Sequence, residues 1–212
     1  MINKIAIIGL GSIGSRYLRI LKSSFLNIQI ILVRSGIGKS SDEEKLANVI
    51  VYSIDELIGL NVDVAIIATP ASQHVEQAVK LTSFGIHVLI EKPLSDSLNG
   101  THDLINNIKK HELVALVGYV FRYDPCAIAF KDYIDNHLIG SILNVRVECS
   151  SYLPDWRPGV DYKKSVSASK DLGGGVLLEL SHELDYINWF FGKIKSVYCQ
   201  LYNSNSLDIN VE

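Results

Sequence analysis

The sequence is poor in the features that would assign it to several common classes. Its 20 Lys and Arg are outnumbered by 23 Asp and Glu, for a net charge of −3, and no basic cluster is longer than a pair. Phosphate backbones are held by concentrated positive charge, so a nucleic-acid partner is not expected. There are three cysteines, Cys126, Cys149 and Cys199, odd in number, far apart and without a Cys-x-x-Cys pair. That excludes a disulfide framework and a thiolate zinc site, predicts no metal, and suits reduced, buried thiols in the cytoplasm. The apolar run at the N-terminus is far too short to cross a bilayer, and no small-residue cleavage site follows it, so a soluble protein without a membrane partner is expected. Repeats and low-complexity tracts are absent. The remainder is ordinary globular material: 212 residues, 48% apolar and 20% charged, enough for one large domain or two small ones.

The order of elements is informative. Lys4–Gly9, Ile28–Val33, Val62–Ala68, His87–Ile90 and Leu113–Gly118 are short apolar runs, with Val51-Tyr52 a candidate further strand. Continuous apolar strands are the mark of a parallel sheet buried on both faces. Helices are expected at 15–22, 54–59, 72–84 and 97–111, with part of another at 43–46. Strands alternating with helices imply a doubly wound sheet. The pattern changes after Arg122. A helix from Pro125 to about His137 precedes a partly alternating run over 142–153. A loop rich in Pro, Trp and Gly, one long helix from about Gly174 to Phe191, and a strand near 194–202 come next. The stub 208–212 reads as the start of a third strand. The expected organisation is an α/β chain with a dinucleotide-binding Rossmann domain at 1–122, and a partial α+β substrate and oligomerisation domain at 123–212. The second would carry an open, mainly antiparallel sheet that looks unfinished and leaves a long edge unpaired.

Gly9-Leu-Gly11-Ser12-Ile13-Gly14 follows the first strand and opens a helix. The first glycine allows the tight turn, the second lets backbone approach a pyrophosphate, and the third lets helix pack on strand; the helix N-terminus favours the diphosphate charge. About 20 residues on, where an NAD site usually carries Asp or Glu, stand Arg34 and Ser35. A guanidinium suits a 2′-phosphate and stacks on adenine, which favours NADP(H) over NAD(H) unless Arg34 points to solvent.

Ala68-Thr69-Pro70-Ala-Ser-Gln-His74 and the run ending Glu91-Lys92-Pro93 close two further strands. With the glycine loop, Gly118-Tyr-Val-Phe-Arg-Tyr-Asp-Pro125 and Gly173-Gly-Gly-Val-Leu-Leu-Glu-Leu-Ser-His182, they resemble the glucose–fructose oxidoreductase/inositol dehydrogenase/MocA family along essentially the whole chain. The resemblance implies an NAD(P)-dependent dehydrogenase or reductase acting on a secondary hydroxyl or ketone of a sugar, sugar derivative or cyclitol. It makes Thr69, Pro70, His74 and Glu91 cofactor neighbours, with His74 alternatively a plain helix-start histidine. It sets Lys92 beside the nicotinamide, hydrogen-bonded to the reacting oxygen, where the bland alternative is a solvated lysine. By the same resemblance His182 is the general acid/base, the alternative being a histidine that satisfies a core hydrogen bond, and Asp185 orients it or the substrate. Glu179, His182 and Asp185 recur every three residues, as along one helix face. Family members often carry an acid four residues before the histidine, whereas Glu179 stands three before His182, which leaves its substrate contact open.

For the substrate, the segment from Tyr152 to Tyr162 offers Trp156, Arg157, Asp161 and Tyr162, an apolar face with donors and acceptors suited to a hydroxylated ring. A structural Trp156 plug is the alternative. Arg122 reads as a cofactor or substrate contact or as a salt bridge. The family usually continues well past 212 residues, so a fragment with an incomplete substrate site is one expectation, and a homo-oligomer follows where the sheet is complete. A cofactor-cycling glycosidase and a non-catalytic NADP-binding module stay open beside the dehydrogenase.

Overall fold

The computed structural model describes residues 2–37, 40–203 and 205–212. The chain divides into two compact units, 1–118 and 119–212. Among the described residues, no helix is long and apolar enough to cross a membrane.

The first unit is one six-stranded parallel sheet. Its strands are β1 (Lys4–Ile8), β2 (Gln29–Val33), β3 (Val49–Val51), β4 (Val64–Ile67), β5 (His87–Ile90) and β6 (Ala115–Val117), in the order β3-β2-β1-β4-β5-β6. Every neighbouring pair is parallel. This is the doubly wound order of dinucleotide-binding domains, in which ligands bind outside the carboxyl ends at the point where the order reverses, here between β1 and β4.

Burial on both faces explains the unbroken apolar runs. Ile5 and Ile7 of β1, with Ile30 and Leu32 of β2 and Ile66 of β4, face Leu18 and Leu21 of α1 (Ser12–Ser24). Their alternates Ala6, Ile8, Ile31, Val33, Ala65 and Ile67 face the other side. There Ala78 and Leu81 of α2 (Ala71–Ser83) and Leu104 of α3 (Thr101–Lys110) close the core. Period two is present, but both phases are hydrophobic because both faces are covered. The Asp63 carboxylate ties the layer's base by accepting from the N–H groups of Asn3 (2.7 Å) and Lys4 (2.9 Å). Those bonds hold the carboxyl below its ordinary range.

The expected helices at 43–46 and 54–59 are short 3₁₀ turns at Asp42–Leu46 and Ile54–Leu57. In the second unit α4 (Pro125–Asp135) starts on Asp124, whose carboxylate accepts from the Ala127 N–H at 2.9 Å, with proline in the first turn. The long helix expected from Gly174 to Phe191 is broken in two, α5 (Val176–Glu179) and α6 (Ser181–Phe191), at Leu180. Among the described residues the strands expected at 142–153, 194–202 and 208–212 are not formed, and those of the second unit carry no sheet. Alternation of residues selects a face, but a strand exists only when a neighbour takes its N–H and C=O groups. Leu143, 94% exposed, and Tyr198, 86% exposed, show how bare these segments are.

Candidate functional site

The carboxyl ends of the strands place the sequence motifs on one edge of the first unit. Main-chain bonds hold each one: Gly9 N–H to Val33 C=O, Arg34 N–H to Val51 C=O, Ala68 N–H to Ile8 C=O, Glu91 N–H to Ile67 C=O and Gly118 N–H to Ile90 C=O, all at 2.8–3.1 Å. The glycine loop, the residues after β4 and the Glu-Lys-Pro motif therefore lie along the sheet edge where the strand order reverses.

The three loop glycines differ in what they do. Gly9 has φ +91°, a left-handed conformation that side chains resist, and a Cβ there would lie 3.0 Å from the Ala68 carbonyl oxygen. A Cβ on Gly14 would lie 2.2 Å from the Gly9 carbonyl oxygen, so this glycine permits α1 to pack on its own loop. Gly11 is the opposite case, with ordinary φ of −77° and nothing within 4 Å of a would-be Cβ. It opens onto space at the start of α1, where no side chain caps the helix and no acid occupies the first turn. An open approach to uncapped N–H groups fits the diphosphate of a dinucleotide.

Around this loop two braces appear. His74 is 1% exposed, and its ring nitrogens lie 2.8 Å from the carbonyl oxygens of Thr69 and Pro93. Each ring nitrogen thus faces a main-chain acceptor, and the nitrogen that carries the proton donates. The ring joins the loops after β4 and β5. Thr69 in turn donates its hydroxyl to Gln77 at 2.8 Å. Glu91 also faces inward: its Oε1 accepts from the Tyr17 hydroxyl at 2.6 Å, and its Oε2 from the Lys92 N–H at 3.3 Å. Burial first, and then the Glu91 carboxylate, push the Tyr17 phenol well above its ordinary range, so it stays a donor. Gly118 leaves room for this carboxylate, since a Cβ there would stand 3.3 Å from Glu91 Oε1. Tyr17 had no sequence signal, because its partner lies 74 residues away. The Lys92–Pro93 peptide is cis. At the end of β2, Arg34 pairs with Glu44 at 3.3 Å instead of pointing to solvent, both side chains being largely covered.

In the second unit, Gly173–Gly175 position the next motif. A Cβ on Gly174 would sit 2.3 Å from the Val166 carbonyl oxygen, so only glycine lets this run pack on the 166–168 turn. Glu179 then takes a hydrogen bond from the Ser167 hydroxyl. The break at Leu180 separates Glu179 from His182 and Asp185, so the single face expected from three-residue spacing is not kept. His182 stands edge-on to Tyr119 and Phe121, with ring centroids 5.7 and 5.3 Å away. Asp185, expected to orient His182 or the substrate, instead accepts two-pronged donation from Arg122, with Nε at 2.9 Å and Nη2 at 2.8 Å. The bond to Asp185 raises the Arg122 pKa, and the guanidinium lies 5.7 Å from the Trp189 ring centre. Arg122 thus realises the salt-bridge alternative. Trp156, Arg157 and Tyr162 do gather, with Leu153, Val160 and Ser167, around a pocket no larger than about one water molecule. Among the described residues no group of His, Cys, Asp and Glu could hold a metal.

Known proteins resemble this architecture. The profile of the oxidoreductase family with an NAD-binding Rossmann fold matches residues 3–119, and that of the GFO/IDH/MocA C-terminal domain matches 128–212. The 2,7-anhydro-N-acetylneuraminate hydratase of Mediterraneibacter gnavus is 26% identical over 191 residues, 88% of this chain and 49% of the relative. The myo-inositol 2-dehydrogenase of Thermotoga maritima is 26% identical over 196 residues, 90% of this chain and 55% of the relative. The WlbA dehydrogenase from Bordetella pertussis, solved with NADH and UDP-GlcNAcA, shares the fold with a TM-score of 0.80 at 17% identity, covering 99% of this chain and 60% of that one. The chain thus spans about half the length of the curated relatives it matches. Matched along both units, it belongs to the GFO/IDH/MocA oxidoreductase family, with that family's NAD-binding Rossmann fold.

Proposed function

We propose that the chain carries the dinucleotide-binding and catalytic part of an NAD(P)-dependent oxidoreductase. The reaction interconverts a secondary hydroxyl and a ketone on a sugar, sugar derivative or cyclitol. The observation that carries this reading is the sheet edge itself: an open glycine and an uncapped helix start on the same edge as a strand-end lysine.

The backbone of Gly9, Gly11, Ser12, Ile13 and Gly14 would hold the diphosphate. Arg34 and Ser35 would meet the adenosine ribose, and Thr69, Pro70 and Lys92 would border the nicotinamide half. When bound, the nicotinamide supplies the hydride donor or acceptor. The Lys92 ammonium donates to the reacting oxygen and stabilises alkoxide charge. Its main chain is fixed by Glu91 on one side and the Pro93 contact with His74 on the other. His182 exchanges the hydroxyl proton, a task suited to imidazole, and the edges of Tyr119 and Phe121 restrict its ring. Asp185 acts through Arg122, as the anchor of that guanidinium. Trp156, Arg157, Tyr162 and Glu179 supply the ring-binding face. NADP(H) is preferred over NAD(H), because Arg34 directly follows β2, where an acid would disfavour the 2′-phosphate.

The test is a panel of sugars, sugar acids and cyclitols offered with NADP⁺ or NAD⁺. Substrate-dependent appearance of reduced nicotinamide is the expected result. One relative is named a hydratase, a reaction without net redox change. Product formed while cofactor is not consumed would assign a cofactor-cycling reaction instead. The preference itself is read by titration: Arg34→Ala is expected to weaken NADPH by about tenfold and NADH by less than about threefold. Equal losses for the two cofactors would contradict the assignment of Arg34.

A further inference from the structure

Beyond β2 the chain supplies Arg34 with an acidic counterpart that the reaction does not use. The turn Asp42–Leu46 opens with three acids, Asp42, Glu43 and Glu44. Two of them are spoken for at the surface: Glu43 pairs with Arg19 of α1, which pins the turn, and Asp42 pairs with Lys45. Glu44 turns inward. Its Oε1 lies 3.3 Å from Arg34 Nη1, and its Oε2 accepts from the Ser40 hydroxyl at 3.1 Å. With Arg34 and Glu44 only 10% and 18% exposed, this pair is shielded from salt in a way the neighbouring surface pairs are not.

We infer that Glu44 is a specificity-determining residue for the dinucleotide. By neutralising Arg34, it limits the preference for NADP(H) and keeps NAD(H) usable. The inference rests on the reading of Arg34 as the ribose-facing residue. A 2′-phosphate is an anion that needs guanidinium charge, and here it must share that charge with a carboxylate or displace it. A 2′-hydroxyl has the opposite need, since it donates, and a carboxylate with spare lone pairs accepts. The acid that NAD sites carry at the end of the second strand is thus replaced by one arriving ten residues later, from a separate turn. Arg34 and Glu44 together make a site with terms for both cofactors.

The experiment titrates the whole chain, as wild type, Glu44→Gln and Glu43→Gln, with NADPH and with NADH, following nicotinamide fluorescence and checking folding by thermal melting. Glu44→Gln keeps the side chain's length and its hydrogen bond with Ser40 while removing the charge. It is expected to tighten NADPH about tenfold and to weaken NADH about two- to threefold. Glu43→Gln removes the same charge without touching Arg34 and is expected to leave the ratio of the two affinities within about twofold. Equal ratios in the two variants would overturn the role of Glu44. A folded wild type that binds neither cofactor would instead sink the dinucleotide reading, a distinct failure. If Glu44→Gln does not fold, Glu44→Asp carries the test. Its shortened reach loosens the pair and shifts the ratio toward NADPH, and an unchanged ratio overturns the proposal.

Discussion

Alanine at Gly14 and alanine at Gly11 are expected to abolish dinucleotide binding by different routes. The Gly14 methyl would meet the Gly9 carbonyl oxygen at 2.2 Å, a main-chain atom that cannot swing aside. Either α1 lifts from β1 or the loop opens, and both disturb the packing of Leu18 and Leu21 on the sheet. The expected cost is about 2–3 kcal/mol of stability, seen as a lower thermal midpoint together with lost binding. At Gly11 a methyl meets nothing within 4 Å and the backbone angles are ordinary, so the fold should tolerate it to within about 1 kcal/mol. Binding should still fall by a hundredfold or more, about 3 kcal/mol, because the methyl occupies the approach to the helix N-terminus. Melting curves and cofactor titrations on both variants separate the two effects. A Gly11→Ala protein that binds as wild type would remove the glycine loop from the site.

The second large effect is expected at Lys92 and His182. Lys92→Ala should lower kcat by about 10²–10³-fold, the usual loss for one donor to a developing oxyanion, while cofactor affinity changes little. His182→Ala should lower kcat by about 10²–10⁴-fold. Steady-state rates on whichever panel substrate turns over check both, with cofactor titration as the companion measurement. Turnover unchanged in both variants would mean that the chemistry is carried by other residues. Asp185 gives a finer readout. Its carboxylate is committed to Arg122, so Asp185→Asn should raise KM through a loosened guanidinium more than it lowers kcat.

The first unit was largely legible in the sequence, because its information is local and redundant. Runs such as Lys4–Ile8 and Gln29–Val33 are hydrophobic in both phases, which only a doubly covered sheet requires, and Gly9, Gly11 and Gly14 mark the loop by their spacing. What escaped was non-local. Nothing near Tyr17 announces Glu91, and nothing near Arg34 announces Glu44, since each pair forms only when the sheet brings separate turns together. The same holds for His74, since the two carbonyls that flank its ring come from separate loops. The second unit was harder. Its alternating run over 142–153 specifies which side chains share a face but not which strand takes its backbone. The break at Leu180 carries no glycine or proline to mark it, and residues 176–191 have helical periodicity on both sides of it.

On the proposed function, the carboxyl edge of the parallel sheet binds a nicotinamide dinucleotide through the glycine loop. Isothermal titration of the folded wild-type chain and of Gly11→Ala with NADPH and NADH tests it most directly. Saturable one-site binding to the wild type, lost in a Gly11→Ala protein that melts normally, is the predicted result. A folded wild type that takes up neither cofactor, or a Gly11→Ala protein that binds as tightly as the wild type, would contradict it.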